Sequence, residues 1–106
     1  MKGRPIKSQI RQNIIEILHH MKRAYGYDLY RIYVKIFPKV TLRSIYYNLK
    51  KGVDLEEIRI EKIEREKGNY SWGEEAEKKY YAIGKKADVK SDKRASDYFN
   101  KIKKRS

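Results

Sequence analysis

Cysteine is absent from the 106 residues of the chain, and this absence excludes disulfide bonds, cysteine-ligated zinc and cysteine nucleophiles. With only two prolines, the sequence has no proline-rich linker. No apolar run approaches the roughly 18 residues that a membrane-spanning helix needs, and the first residues lack the hydrophobic stretch of a signal peptide. We therefore expect one small, soluble, cytoplasmic domain that does not associate with a membrane.

Acidic side chains are scarce in the first half of the chain. Residues 1–50 hold eleven basic and two acidic residues, whereas residues 51–84 carry a net charge of −2 and residues 85–106 a net charge of +6. The total of +13 favours a polyanionic partner, usually nucleic acid. The abundance of Ile, Lys, Glu and Tyr is also typical of thermophilic, archaeal-like proteins, but heat adaptation does not explain why one half lacks acids.

Apolar residues at helical spacing predict three helices in the first half of the chain. The periodicity places them at about residues 8–23, 27–36 and 42–51. Ser8 and Thr41 are predicted N-caps of the first and third helices, and Pro38 ends the second. We place Gly52 just past the C-cap of the third helix.

The apolar period changes from 3.6 to 2 after the third helix. Ile58 and Ile60 alternate with charged residues, which predicts a half-buried strand. Residues 67–69 give a turn signal, and the returning strand is predicted to run from Tyr70 to Ile83 with a bend at residues 72–74. A fourth helix is predicted in the tail from apolar residues at i, i+3, i+4 and i+7, namely Ala95, Tyr98, Phe99 and Ile102.

Three short helices followed by a β-hairpin is the element order of a winged helix-turn-helix. The predicted fold class is mainly α with a β-hairpin (α+β): a three-helix core, a wing and a C-terminal helix. We divide the chain into a basic flexible arm at residues 1–7, the winged domain at residues 8–86 and a basic tail at residues 87–106. Tyr33, Tyr46 and Tyr80 are assigned to the core.

The third predicted helix has an apolar side and a polar, basic side. Leu42, Ile45, Tyr46 and Leu49 cluster on the apolar side, which we expect to pack on the first two helices. The opposite side offers Arg for guanine edges, Asn for adenine edges and hydroxyl groups for base edges or phosphates. A generic amphipathic helix with a solvated face has the same pattern, but the scarcity of acids around this helix favours DNA binding.

Three segments resemble the PadR-like winged-helix transcriptional regulators. They are Tyr-Gly-Tyr-Asp-Leu-Tyr at residues 25–30, Thr-Leu-Arg-Ser-Ile-Tyr-Tyr-Asn-Leu-Lys-Lys-Gly at residues 41–52, and Lys-Tyr-Tyr-Ala-Ile-Gly at residues 79–84. The resemblance covers about residues 8–86. It implies a DNA-binding regulator that is normally dimeric.

The candidate DNA-binding residues come from the N-terminal arm, the third helix with the turn before it, and the wing tip. The arm resembles the Gly-Arg-Pro core of an AT-hook, whose Arg enters a narrow minor groove, although a disordered basic terminus has the same composition. The wing is rich in Glu, so we expect it to be mostly structural. The predicted contacts are Arg4, Lys7, Lys39, Thr41, Arg43, Ser44, Tyr47, Asn48, Lys50, Lys51, Arg65 and Lys67.

No constellation of catalytic or metal-binding residues stands out in the sequence. Adjacent residues on a helix point about 100° apart, so His19 and His20 are poorly placed to share one metal ion. The cluster of Glu74, Glu75 and Glu77 is interpreted as a solvated acidic turn. We predict that the protein is not an enzyme and needs no metal or cofactor.

We predict a homodimer formed through Ala95, Tyr98, Phe99 and Ile102, with the alternative that the tail helix folds back onto the first helix. The predicted function is a nucleoid-associated transcriptional regulator that binds double-stranded DNA with its third helix in the major groove. The alternatives are a less specific architectural DNA- or RNA-binding protein and a winged-helix subunit that binds an acidic protein. The target sequence and any small-molecule effector stay open.

Overall fold

The computed structural model describes residues 8–66 and 76–105, which form four helices and a three-stranded antiparallel sheet. The elements in chain order are α1 (Gln9–Met21), β1 (Arg23–Tyr25), α2 (Gly26–Ile36), α3 (Leu42–Asp54), β2 (Ile58–Glu66), β3 (Ala76–Ile83) and α4 (Lys93–Arg105). This is the predicted α+β winged-helix architecture. The predicted turn at residues 67–69 and the predicted bend at residues 72–74 lie outside the described residues.

Helix α1 lies at the centre of the molecule. Ser8 is its N-cap, as predicted, and the Ser8 hydroxyl accepts a hydrogen bond from the backbone N–H of Arg11 at 3.1 Å. Ile14, Ile17 and Leu18 have no exposed surface because α2, α3, α4 and the sheet all pack around this helix. The other helices are therefore positioned relative to one buried element.

The short strand β1 is absent from the sequence-based prediction, which treats Tyr25 and Gly26 only as a break between two helices. Three residues are too few to show an alternating pattern. β1 pairs with β3, with Ala24 opposite Tyr81, and the strand order of the sheet is β1-β3-β2. The strand joins the start of α2 to the wing.

Helix α3 begins as predicted and ends later than predicted. Thr41 is the N-cap, and its side-chain oxygen accepts a hydrogen bond from the backbone N–H of Ser44 at 3.0 Å. Gly52 lies inside the helix, so its assignment as the residue after the C-cap is wrong. A Cβ atom at Gly52 would lie 2.5 Å from Cδ1 of Ile58, so this glycine allows β2 to pack closely against α3.

Helix α4 folds back onto its own chain, as the alternative interpretation predicts. Ala95 has no exposed surface and belongs to the core, so its assignment to a dimer interface is wrong. Phe99 packs against the same core, and its ring stacks on the ring of His20 with centroids 4.8 Å apart. The side of α4 that carries Ala95 and Phe99 covers α1, because the three-helix core leaves an apolar surface there.

A buried carboxylate of α1 fixes the segment before α4. Glu16 is 1% exposed and accepts hydrogen bonds from the backbone N–H groups of Lys90 at 2.6 Å and Asp92 at 3.0 Å. The Gln12 side chain donates a third hydrogen bond to this carboxylate at 2.9 Å. Such charge-assisted hydrogen bonds satisfy the hydrogen-bonding capacity of the buried Glu16 carboxylate, and they position the segment from which α4 begins.

The buried tyrosines differ in part from the prediction. Tyr33 is buried in the core, as expected, but Tyr46 is 43% exposed and its assignment to the core is wrong. Tyr80 is half-buried, while its neighbour Tyr81 is buried. Tyr46 is exposed because the buried line of α3 is formed by Ile45, Asn48, Leu49 and Gly52.

Candidate nucleic-acid interface

One side of α3 is exposed and basic. Its members recur at i, i+3, i+4, i+7 and i+8, which is one face of a helix. We call this surface the α3 basic face, and it consists of Arg43, Tyr46, Tyr47, Lys50 and Lys51, all of which are exposed. Within α3, the only acidic residue is Asp54, the last residue of the helix. The face therefore presents three cations and two aromatic rings to solvent.

The opposite side of α3 is held by the core. Ile45 and Leu49 have no exposed surface, and the helix packs against α1, α2 and β2. This packing fixes the rotation of α3 about its axis, and it therefore fixes which side chains project outward. In helix-turn-helix proteins, a helix that is packed on one side and exposes polar and basic side chains on the other contacts DNA.

Asn48 does not lie on the α3 basic face. It is 6% exposed, and its side-chain oxygen accepts a hydrogen bond from the Ser8 hydroxyl at 2.9 Å. Its amide group donates to the backbone carbonyl of Ser44 at 2.8 Å. Asn48 thus joins α3 to the start of α1, and this placement conflicts with its predicted role in contacting adenine.

The turn before α3 brings further predicted contacts close to the helix N-terminus. Lys39 and Thr41 are exposed, and Ser44 is half-buried. The Thr41 hydroxyl donates to the Ser44 hydroxyl at 3.2 Å, so both hydroxyl groups take part in the cap. The N-terminus of a helix carries a partial positive charge, which adds to the charge of Lys39 and favours a nearby phosphate.

The remaining predicted contacts cannot be placed beside these residues. Arg4, Lys7 and Lys67 lie outside the described residues, and so does the side chain of Arg65, whose backbone belongs to β2 opposite Glu77. Further down the wing, Arg23 and Arg59 form ion pairs with Glu61 at 3.4 Å and 3.5 Å. These exposed pairs lie within the sheet.

A cleft beside α3 was not anticipated from the sequence. It has a volume of about 540 Å³ and lies between the start of α2, the helix α3 and the strand β3. Its lining residues are Tyr25, Gly26, Tyr27, Asp28, Tyr46, Lys79 and Tyr81. The ten tyrosines of the chain indicated that an aromatic site could form. The sequence spacing of residues 25–28, 46 and 79–81 does not predict that they lie together.

Within residues 8–66 and 76–105, no group of three His, Asp or Glu side chains is arranged to hold a metal ion. No helix in this described part of the chain combines the length and apolar character needed to cross a membrane.

Comparison with known proteins identifies the fold. No protein-family model and no curated protein matches the chain. Among solved structures, a PadR family transcription regulator from hypervirulent Clostridium difficile R20291 is similar, with 22% sequence identity and a TM-score of 0.54; the match covers 92% of this chain and 85% of that one. Pex from Synechococcus sp. (strain PCC 7942) is 16% identical, with a TM-score of 0.47 and coverage of 96% and 89%.

The likeness to the first of these structures shows that the chain has a PadR-like winged-helix fold. The resemblance inferred from the three sequence segments is confirmed at this level. A sequence identity of 22% supports an inference about the fold but not about the activity.

Proposed function

We propose that the chain is a transcriptional regulator that binds double-stranded DNA and inserts α3 into the major groove. The proposal rests chiefly on the α3 basic face, where Arg43, Lys50 and Lys51 project from a helix whose other side is packed in the core. It is supported by the fold, because the similar solved structure is a transcription regulator. Such a regulator acts in the cytoplasm, in association with the nucleoid.

Each part of the α3 basic face has a distinct task in this proposal. Arg43, in the first turn of α3, contacts a guanine edge, because the N-terminal residues of a recognition helix reach the bases. Lys50 and Lys51, later in the helix, contact phosphates together with Lys39. Tyr47, which is 63% exposed, contacts a base edge or a sugar.

The proposed regulator binds DNA as a homodimer. A single helix-turn-helix contacts few base pairs, and two-fold pairing doubles the contacts over half-sites about one helical turn apart. Ala95 and Phe99 are engaged within the chain, so the proposed interface uses the outer side of α4, where Tyr98 is half-buried and Ile102 is 45% exposed.

The oligomeric state is tested by light scattering on the full chain. We expect a dimer, and we expect replacement of Tyr98 and Ile102 by Glu to give a folded monomer. The exposed neighbour Asn100, replaced by Glu in the same way, serves as the matched control and should leave the dimer intact. A wild-type chain that is monomeric with and without DNA contradicts the dimer.

The DNA-binding function is tested by competition. A duplex enriched from a random library by the full chain is compared with a scrambled duplex and with single-stranded RNA of the same length. We expect the enriched duplex to bind most tightly. Arg43→Ala should cost about 1–3 kcal/mol on the enriched duplex, as expected for one bidentate base contact, and much less on the scrambled one.

Other outcomes of this competition support the alternative functions. Equal affinity for all duplexes indicates an architectural DNA-binding protein, and a preference for the RNA indicates RNA binding. Lys101→Ala, which removes a positive charge from an exposed site on α4, is the control for charge alone. Failure to bind any nucleic acid at low salt contradicts the proposal and favours a protein-interaction subunit.

A further inference from the structure

We propose that the cleft between α2, α3 and β3 binds a small zwitterion of the betaine class, which carries an organic ammonium group and a carboxylate. The cleft combines aromatic walls, one acidic side chain and one basic side chain in a volume of about 540 Å³. Its two charged lining residues, Asp28 and Lys79, have opposite signs, so their formal charges sum to zero. A zwitterion is therefore its charge-matched ligand.

The walls of the cleft are held in place by their neighbours. The ring of Tyr25 stacks on the ring of Tyr80, with centroids 4.1 Å apart. The ring of Tyr46 lies directly against the backbone of Gly26, since a Cβ atom added there would be 2.5 Å from Cε1 of Tyr46. The rings therefore form a prearranged aromatic surface rather than one that must assemble around a ligand.

This surface suits a cation. The face of a tyrosine ring is electronegative and attracts an ammonium ion, and quaternary ammonium groups are bound in this way. Asp28 adds a full negative charge, and its ion pair with Arg31 is long, at 3.9 Å, with both side chains about half exposed. Burial and the nearby Asp28 raise the pKa of Tyr46 above its ordinary value of 10.0.

The other side of the cleft suits a carboxylate. The first N–H groups of a helix have no partner within the helix, and α2 begins with Gly26. Gly26 and Tyr27, the first two residues of α2, both line the cleft. Lys79 of β3 lines it as well, and its ammonium group supplies the charge that a carboxylate needs.

The proposal is independent of DNA binding, because its test contains no DNA. Glycine betaine is titrated into the full chain at constant ionic strength, and binding is followed by the N-methyl proton resonance, which ring currents shift upfield over aromatic faces. Two control ligands each remove one charge. 3,3-Dimethylbutanoate replaces the ammonium by carbon, and choline replaces the carboxylate by a hydroxymethyl group.

We expect glycine betaine to bind about tenfold more tightly than either control ligand, which corresponds to one cation–π or ion-pair contact. Equal affinity for 3,3-dimethylbutanoate contradicts the cation site, and equal affinity for choline contradicts the carboxylate site. Absence of an upfield shift with glycine betaine contradicts the whole proposal.

Variants assign the binding to the cleft. Asp28→Asn should weaken glycine betaine about tenfold and should not weaken 3,3-dimethylbutanoate. Asp97→Asn removes the same charge from α4, outside the cleft, and should change neither affinity. Tyr46→Phe keeps the ring and should keep the binding, whereas Tyr46→Leu should reduce it. Circular dichroism verifies that each variant folds, and an unchanged affinity in folded Asp28→Asn contradicts the assignment.

Discussion

Two polar residues of α3 that are five positions apart have opposite roles. Arg43 projects into solvent, whereas Asn48 is buried and bonded to Ser8 of the α1 cap. Both residue types can contact bases, so residue type alone does not separate them. The orientation of α3 about its axis determines which of the two residues is exposed. The buried side chains of Ile45 and Leu49 fix that orientation.

Asn48→Ala should destabilise the fold and leave the sequence preference for DNA unchanged. The substitution leaves the Ser44 carbonyl and the Ser8 hydroxyl without this partner, and we expect a loss of about 1–3 kcal/mol in the free energy of unfolding. Urea denaturation measures this loss. A stable variant with altered preference between the enriched and scrambled duplexes would show that Asn48 contacts bases after all.

Asp92 is the acidic cap of α4. Its carboxylate accepts hydrogen bonds from the backbone N–H groups of Arg94 at 2.8 Å and Ala95 at 3.4 Å. The side-chain hydrogen bond from Arg94 is the main reason why the pKa of Asp92 lies below its ordinary value of 3.8, although partial burial opposes the shift. The folded state therefore releases this proton at lower pH than the unfolded state.

The stability that Asp92 contributes should be present above its unfolded pKa and lost as the pH falls through its lower folded pKa. Asp92→Asn keeps a capping oxygen but removes the charge, so we expect it to be less stable than wild type by about 0.3–1 kcal/mol at neutral pH. This difference should shrink below about pH 4. Parallel urea titrations measure it, and a difference that is constant down to pH 2 would contradict the assignment.

At the scale of the element, the close approach of β2 to α3 depends on Gly52. Ile58, the first residue of β2, is 1% exposed and lies where a side chain at Gly52 would project. Gly52→Ala should therefore cost about 1–3 kcal/mol through overpacking, although Ala has the better helix propensity.

The partner of this contact provides the control. Ile58→Val removes the nearest atom, so the double variant should lose less stability than the sum of the two single changes. Thermal unfolding of all four proteins measures this coupling. A stabilising Gly52→Ala would contradict the close packing of Ile58 against this position.

The bounds of the elements were predictable where a local pattern determines them. Ser8 and Thr41 cap helices because their hydroxyl groups accept backbone N–H bonds close by in the chain. β1 and the true place of Gly52 were not predictable, since both depend on partners far along the chain, Tyr81 and Ile58. The same reason applies to Tyr46, whose exposure follows from the packing of the other side of α3.

At the scale of the whole molecule, charge is the property that the sequence predicts best, because it needs no geometry. The first fifty residues carry most of the net charge of +13, and they include the turn before α3 and the first nine residues of this helix, which begins at Leu42. The place of the tail was harder to predict, because Ala95 and Phe99 fit either a second copy or the chain's own α1. The buried Glu16 accepts hydrogen bonds from the segment before α4, and these bonds hold the tail against α1 of the same chain.

Binding to DNA should depend steeply on salt. If six to ten Lys and Arg side chains neutralise phosphates, the affinity should fall about 10³–10⁵-fold between 50 and 200 mM salt. Removing residues 2–7, with Arg4 and Lys7, should reduce the slope of log affinity against log salt. Fluorescence anisotropy with a labelled duplex measures both slopes, and an unchanged slope would show that the arm makes no phosphate contacts.

The insertion of α3 into the major groove is tested most directly by methylation protection of the enriched duplex. Guanine N7 lies in the major groove and adenine N3 in the minor groove, so the two modified positions report the two grooves separately. We expect the full chain to protect guanine N7 in each half-site and Arg43→Ala to lose protection at one guanine per half-site. Protection of adenine N3 alone, or protection of N7 that is the same in Arg43→Ala and wild type, would contradict this insertion.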